Sequence, residues 1–389
     1  MNTHPKKIKV LFRHRSMEMG GVEKVLLSLL NNLDREKFDM TVCLSINQGE
    51  LRNEIPAHVR KVHLAKGQED LSKNKWRQKI QLALRNIELK KIAKNPAIAQ
   101  NILKENYDVE IATTYAIYGN VLNSVNKNSK KIAWLHSDLT LAGFDPYRAE
   151  IFKNLQQFDY IIYGSRQCKE ILEEKFPDVK FPPGEVILNA IPIEELKIKA
   201  DEIPVDYGEI PTFISVGRLH FRKGYQTLLE AHKKLITEGF SHQINVIGDG
   251  EDWEKLSSRI KELKVENSFK LLGAKMNPYP YVKNADFYVM PSESEGWPLI
   301  IAETLILQKP ILATNVGGIP ELIEHEKTGF LVEYSVESLY NGMKEFLQNK
   351  ELVQKIQENL RTIEDQFDNQ KIFRAVENVI LKQVSLQDQ

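Results

Sequence analysis

The sequence predicts an α/β protein made of two Rossmann-like halves, each a parallel sheet covered by helices. Three observations lead there. Short strand-like runs alternate with helical segments along most of the chain. The alternation pauses once, at residues 191–211, where Pro192, Pro204 and Pro211 stand among charges, and then resumes. Glycine-bearing loops follow several strands directly, at the position where open parallel sheets collect their ligands.

The first strand is Lys7 to Phe12 (KIKVLF). A polar loop and Gly20-Gly21 lead from it into VEKVLLSLLNNL, apolar at helical spacing. Further strands are expected at Met40 to Ser45, Val109 to Thr113, Lys131 to Leu135, Tyr160 to Tyr163 and Val186 to Leu188. After a linker, the second half has strands at Thr212 to Val216, Gln243 to Ile247, Phe269 to Leu272, Phe287 to Met290, Pro310 to Ala313 and Phe330 to Val332. The amphipathic segment Asn369 to Val384 has no strand behind it. The expected division is therefore 1–195, 196–368 and a terminal helix at 369–389 that closes the second half or crosses back to the first, with the cleft between the two sheets as the favoured site.

The chain has 389 residues, 42% of them apolar, and only Cys43 and Cys168 as cysteines, which rules out a disulfide framework and zinc-ribbon spacing. No apolar run reaches the roughly 18 residues of a spanning helix, and Met1 to Lys9 is polar, so a cytoplasmic protein is expected. Basic and acidic residues balance at 53 each, yet residues 1–200 hold 32 basic against 24 acidic and the remainder 21 against 29. Much of the excess lies in Leu71 to Lys94, with eight basic residues and one acid, Glu88. As a helix, this stretch would gather Trp76, Ile80, Ala83, Leu84 and Ile87 into one apolar stripe with basic flanks, suited either to core packing or to an anionic membrane surface. It carries one aromatic residue and no nucleic-acid-binding module, so no nucleic-acid partner is expected.

In TFISVGRLHFRKGYQTLLEAH, Arg218 and Lys223 stand between a strand's carboxyl end and a helix N-terminus, where amides and the helix dipole favour an anion. A diphosphate fits two such cations, one a planar fork and one a movable point charge. Gly248-Asp249-Gly250 lacks the third glycine of a dinucleotide fingerprint, and no phosphate-binding P-loop is present. No two aspartates are spaced D-x-D, so a nucleotide-sugar enzyme of this sequence would neutralise its leaving diphosphate with side-chain cations and amides, and no metal or other cofactor is expected.

MPSESEGWPLIIAETLILQKPILAT carries Glu295 in a pre-helical loop and, eight residues on, Glu303 among apolar neighbours. A carboxylate in that setting needs a partner, a backbone N–H, a lysine or a ligand diol. TNVGGIPE places a second glycine pair after another strand. His136, in AWLHSDL, follows a strand, with Asp138 near enough to bond it or to cap the next segment; the other histidines lack such a context.

Gly20-Gly21-Val22-Glu23, Gly217-Arg218 with Lys223-Gly224, Gly248-Asp249-Gly250, Pro291-Ser292 with Glu295-Gly296 and Glu303, and Gly317-Gly318-Ile319-Pro320-Glu321 occur in this order. Together they closely resemble glycosyltransferase family 4, the retaining nucleotide-sugar glycosyltransferases of GT-B fold, over about Ile8 to Val332. The resemblance implies transfer of a hexosyl or N-acetylhexosaminyl group from a nucleotide diphosphate sugar, with a UDP-sugar as the prior, to an acceptor hydroxyl. It implies that Gly20 and Gly21 approach the diphosphate and that Arg218 and Lys223 bind it. Glu303 would take the ribose hydroxyls, Glu295 would sit by the transferred sugar, and Gly273 to Lys275 would contact the base. His136 matches the active-site histidine, as proton carrier or orienting group. The family's E-G-F-G is here Glu295-Gly296-Trp297-Pro298, where proline removes one amide donor and leaves those of Trp297 and Leu299. Its N-G is here Asn189-Ala190. The basic stretch adds the expectation of a lipid-linked glycan or a lipopolysaccharide or capsule precursor as acceptor, met at the inner face of a membrane. The competing expectations are a sugar-nucleotide epimerase of the same fold and a catalytically silent nucleotide-sugar-binding subunit.

Overall fold

The computed structural model describes residues 6–386. They fall into two units, one running to Ala190 and taking in the segment from Asn369, the other Ile191–Asp368. The first contains β1 (Ile8–His14), β2 (Phe38–Leu44), β3 (Arg60–His63), β4 (Val109–Ala112), β5 (Lys130–Leu135), β6 (Tyr160–Tyr163) and β7 (Gly184–Val186). They form one parallel sheet in the order β3-β2-β1-β4-β5-β6-β7. The second unit contains β8 (Thr212–Val216), β9 (Gln243–Ile247), β10 (Phe269–Leu271), β11 (Phe287–Met290), β12 (Ile311–Thr314) and β13 (Phe330–Val332), ordered β10-β9-β8-β11-β12-β13 and again parallel. In each sheet the direction of winding reverses once, between β1 and β4 and between β8 and β11, and these are the crevices where such sheets hold ligands.

The central strands are covered on both faces, which is why they read as unbroken apolar runs: Val10, Leu11 and Phe12 are all buried. β1 continues two residues past its expected end because Arg13 and His14, though polar, are also buried. Arg13 is held by Glu110 of β4, whose Oε2 accepts from Nε at 3.1 Å and lies 3.1 Å from Nη2. The other carboxylate oxygen accepts from Ser124 Oγ at 2.6 Å and Ser129 Oγ at 2.8 Å, with Lys131 Nζ at 3.6 Å. This buried network ties β1, β4 and β5 together.

Three features differ from the sequence reading. β3 (RKVH) was not foreseen; it is a four-residue edge strand with two basic residues, a composition that blunts an edge and hides the strand signal. β7 lies two residues earlier than expected. The division falls after Ala190 rather than after residue 195, because Ile193–Ala200 is a helix, not a linker. It buries Leu196 and Ala200 and packs with the helices Tyr279–Asn284 and Leu299–Ile306 of the second unit. Pro192 at its N-cap disguised the helix start.

The last helix, Asn369–Ser385, belongs to the first unit, burying Phe373, Val376, Val379 and Ile380. Glu377 on it accepts from the Asp34 N–H at 3.0 Å and from Lys37 Nζ at 2.9 Å. Among the described residues no helix is long and apolar enough to cross a membrane.

Candidate active site

In the second unit, four loops at the carboxyl ends of β8, β9, β11 and β12 interlock through glycines that approach other backbone closely. Gly224 has φ +68°, and a Cβ there would lie 1.8 Å from the Pro291 carbonyl oxygen. Gly317 has φ +57°, and a Cβ there would lie 1.9 Å from the Glu295 carbonyl oxygen. Left-handed backbone and absent space together leave only glycine. The loop after β8 is thereby pressed against the loop after β11, and the latter against the loop after β12, where the Gly318 N–H donates to the Gly296 carbonyl at 2.6 Å.

This packing brings Lys223 and Glu295 together. Lys223 Nζ donates to Glu295 Oε1 at 2.7 Å, and Ser292 Oγ donates to the same oxygen at 2.6 Å. Arg218 is not part of that cluster. Its side chain is 71% exposed and its Nε meets Glu251 Oε2 at 3.1 Å, with His220 Nε2 3.5 Å from the other oxygen of Glu251. Glu251 was not singled out in the sequence; nothing in its local pattern marks it, since its partner Arg218 sits on another loop.

Glu303 lies within the helix Leu299–Ile306 and is buried. Its Oε1 accepts from the Tyr279 hydroxyl at 2.7 Å. Burial, then the Glu303 charge, raises the Tyr279 phenol far above its usual value, so it stays a donor. A tyrosine was not among the partners weighed for Glu303. Trp297 and Leu299 are buried, Gly296 is half-buried, and the indole Nε1 of Trp297 has no hydrogen-bond partner among the described residues. Lys275 is exposed, 5.8 Å from the Tyr281 ring, beside Gly273, whose carbonyl accepts from the Gly248 N–H at 3.1 Å.

In the first unit, His136 follows β5. It is half-buried, and its ring stacks on Trp134 at 5.5 Å and 12° between planes, as two residues on one face of a strand can. Desolvation, and secondarily the neighbouring His14, lower its pKa from 6.5 to about 3, so the ring is neutral near pH 7. Asp138 does not bond it: Oδ1 accepts from the Thr140 N–H at 2.8 Å and the Thr140 hydroxyl at 2.6 Å, capping the next turn.

Gly20 is the N-cap of the helix Gly21–Asn32, and a Cβ on it would lie 2.3 Å from Glu23 Oε2. Glu23 Oε1 is 3.1 Å from Nε2 of His14, whose Nδ1 is 2.6 Å from Thr113 Oγ1. The sequence reading set His14 aside; only its place at the last residue of β1 could have raised it, and that depended on where the strand ends.

Comparison with known proteins bears on both units. Residues 198–362 match the family model described as Glycosyl transferases group 1. The chain is 27% identical over 368 residues, 92% of its length and 95% of the relative's, to N-acetylgalactosamine-N,N'-diacetylbacillosaminyl-diphospho-undecaprenol 4-alpha-N-acetylgalactosaminyltransferase of Campylobacter jejuni. It is 26% identical over 297 residues to N-acetyl-alpha-D-glucosaminyl L-malate synthase of Bacillus anthracis, covering 72% of this chain and 78% of that one. Among solved structures, Anabaena Alr3699/HepE in complex with UDP and glucose superposes with a TM-score of 0.75 at 18% identity, over 96% of this chain and 99% of that one. That last likeness is one of fold.

Proposed function

We propose that the chain is a glycosyltransferase of GT-B fold, in keeping with the match of residues 198–362 to the Glycosyl transferases group 1 model, and that it moves a hexosyl or N-acetylhexosaminyl group from a UDP-sugar to a hydroxyl of a lipid-linked glycan or polysaccharide precursor. The observation that carries this is the Lys223–Glu295–Ser292 cluster, at the carboxyl edge of a parallel sheet and enclosed by loops that tolerate only glycine. It sets an ammonium for a departing diphosphate beside a carboxylate for sugar hydroxyls. Support for the donor comes from the UDP-bound Anabaena neighbour, and for the acceptor class from the Campylobacter relative's diphospho-undecaprenol substrate.

The reaction proceeds with retention at the anomeric carbon. The bond from that carbon to the diphosphate oxygen breaks, the bond to the acceptor oxygen forms on the same face, and the acceptor proton passes to the departing phosphate. Lys223 and Arg218 stabilise the charge on the leaving group, with Gly20 and Gly21 supplying backbone amides and Gly296, Trp297 and Leu299 the sugar-side surface. Glu303 takes the ribose hydroxyls and Lys275 the base. His136, neutral near pH 7, orients a sugar hydroxyl as acceptor or donor of a hydrogen bond. No metal is needed in this reading, because side-chain cations and backbone amides carry the charge of the leaving group. Incubation with UDP-, GDP- and ADP-sugars tests the proposal: the expected result is slow release of UDP from a UDP-sugar, accelerated by a glycolipid acceptor. Product formed from donor alone without UDP release would identify an epimerase, and neither binding nor turnover with any donor would refute the proposal.

The enzyme meets its acceptor at an anionic membrane surface, on the cytoplasmic side, through the helix Lys75–Lys94. That helix is apolar on two opposite faces. Leu89 and Ile92 pack into the core with Leu11, Cys43 and Val62. Trp76 (74% exposed), Ile80 (43%), Leu84 (58%) and Ile87 (50%) form the opposite stripe, with exposed Lys79 and Lys90 on one side and Arg77 and Lys91 on the other. Apolar insertion flanked by cations fits anionic lipid. Co-sedimentation with liposomes containing phosphatidylglycerol is expected for the wild type and lost in W76E/L84E; absence of wild-type binding at low salt removes this part of the reading.

A further inference from the structure

The arrangement of His14, Glu23 and Thr113 has no part in the reaction described above, yet it joins the carboxyl ends of β1 and β4, where the winding of the first sheet reverses, to the start of the glycine-capped helix. His14 is buried, and both ring nitrogens are engaged. Thr113 Oγ1 lies 2.6 Å from Nδ1 and 2.9 Å from the Arg13 carbonyl oxygen, which fixes the ring on the β4 side. Nε2 faces a carboxylate oxygen at 3.1 Å, which can only accept. Nε2 therefore carries a proton and donates to Glu23, so the ring holds the carboxylate in place.

Glu23 lies at the opposite end of this chain of bonds, against Gly20, with Oε2 2.3 Å from where a Cβ of residue 20 would stand. A bare carboxylate there would repel any anion approaching the Gly20 and Gly21 amides. Resting on the diphosphate-sugar reading above, we infer that His14 and Glu23 are positioning residues for the donor: the histidine clamps the carboxylate through Nε2–H, and the carboxylate in turn fixes the geometry of the Gly20-Gly21 loop whose amides that reading assigns to the diphosphate.

The test is a charge-selective cycle read in donor KM and kcat. H14N keeps a polar group near Thr113 and removes Nε2–H. It is expected to raise the KM for the UDP-sugar about tenfold with a much smaller change in kcat, as for a group that acts on binding. Adding E23Q to H14N removes the repulsive charge and should return KM most of the way. A purely structural contact would respond oppositely, with the second substitution adding to the damage; that result, or an unchanged KM in H14N, overturns the inference. Should H14N not fold, the clamp can be read from its exposed end, where E23A is expected to raise KM and E23Q to raise it less; equal KM for E23A and wild type overturns it. Wild type that turns over no nucleotide sugar would overturn the underlying reading as well, whereas wild-type turnover with an indifferent His14–Glu23 pair would overturn this inference alone.

Discussion

Replacing Lys223 by methionine separates the chemistry of the site from its stability. In the folded protein Lys223 Nζ holds one carboxylate oxygen of Glu295 at 2.7 Å, with side-chain exposures of 29% and 10%. Methionine preserves most of the aliphatic stem and removes the charge. Glu295 keeps the Ser292 hydroxyl, which donates at 2.6 Å, so the carboxylate is not left bare. A partly exposed pair with one remaining donor should cost about 1 kcal/mol of folding stability when broken. Removing a preorganised donor to a leaving group costs about 10²–10³ in kcat, equivalent to about 3–4 kcal/mol of transition-state stabilisation. The two effects differ enough to be told apart. UDP release at saturating donor gives kcat, and urea denaturation followed by tryptophan fluorescence gives the folding term. Arg218→Ala is the companion measurement: its side chain is mostly exposed and pairs with the exposed Glu251, so stability should change by less than about 0.5 kcal/mol while turnover falls strongly. K223M with kcat within about threefold of wild type, or a loss that merely follows its unfolded fraction, would refute the reasoning that places the leaving diphosphate at this lysine.

Glu110→Ala should destabilise the first unit by about 3–5 kcal/mol, because it strands the buried cations of Arg13 and Lys131; urea midpoints measure it, and a change below about 1 kcal/mol would contradict the network's role. Gly317→Ala should abolish donor turnover and lower thermal stability, since its φ is +57° and its Cβ would strike the Glu295 carbonyl; a variant with wild-type kinetics would show that the loop after β12 is not fixed by that contact. Stability should also fall on acidification through a buried histidine pair in the second unit. His242 Nδ1 donates to the Phe240 carbonyl at 2.9 Å, so His232 Nδ1 donates to His242 Nε2 at 2.8 Å and both rings are neutral. Burial lowers the His232 pKa from 6.5 to about 3 and that of His242 in the same direction. The unfolded chain therefore gains protons first, and stability present above about pH 6.5 declines below it by up to about 1.4 kcal/mol per pH unit per ring. Urea denaturation at pH 7.5, 6.0 and 5.0 should show the decline, and H232F/H242F should flatten it.

The reach of the sequence follows from how locally each feature is determined. The inner strands of the second sheet were legible because a strand buried on both faces must be an apolar run, as Phe287–Met290 and Ile311–Thr314 are. β3 was not, since an edge strand with Arg60 and Lys61 on it obeys a different requirement. The glycine motifs were legible for a related reason. Where two backbones meet within a van der Waals diameter, as at Gly224 and Pro291, only one residue type is allowed, so the constraint is written directly in the chain.

A hydrogen-bond partner leaves no such trace. His14 meets Thr113 across 99 positions, Lys223 meets Glu295 across 72 and Tyr279 meets Glu303 across 24, and serine, tyrosine or glutamate at those places has many ordinary alternatives. The resemblance therefore located the loops, while the packing of the loops assigned the partners. Arg218 shows the consequence. Its motif places it beside Lys223, five positions away, yet it turns to Glu251 whereas Lys223 turns to Glu295, so two cations of one motif begin from different electrostatic situations. Lys223 is already fixed against the carboxylate that would contact the sugar. Under the proposed function, Arg218 would exchange an exposed, weak partner for the diphosphate, an exchange with little barrier because surface pairs of this kind contribute about 0–1 kcal/mol.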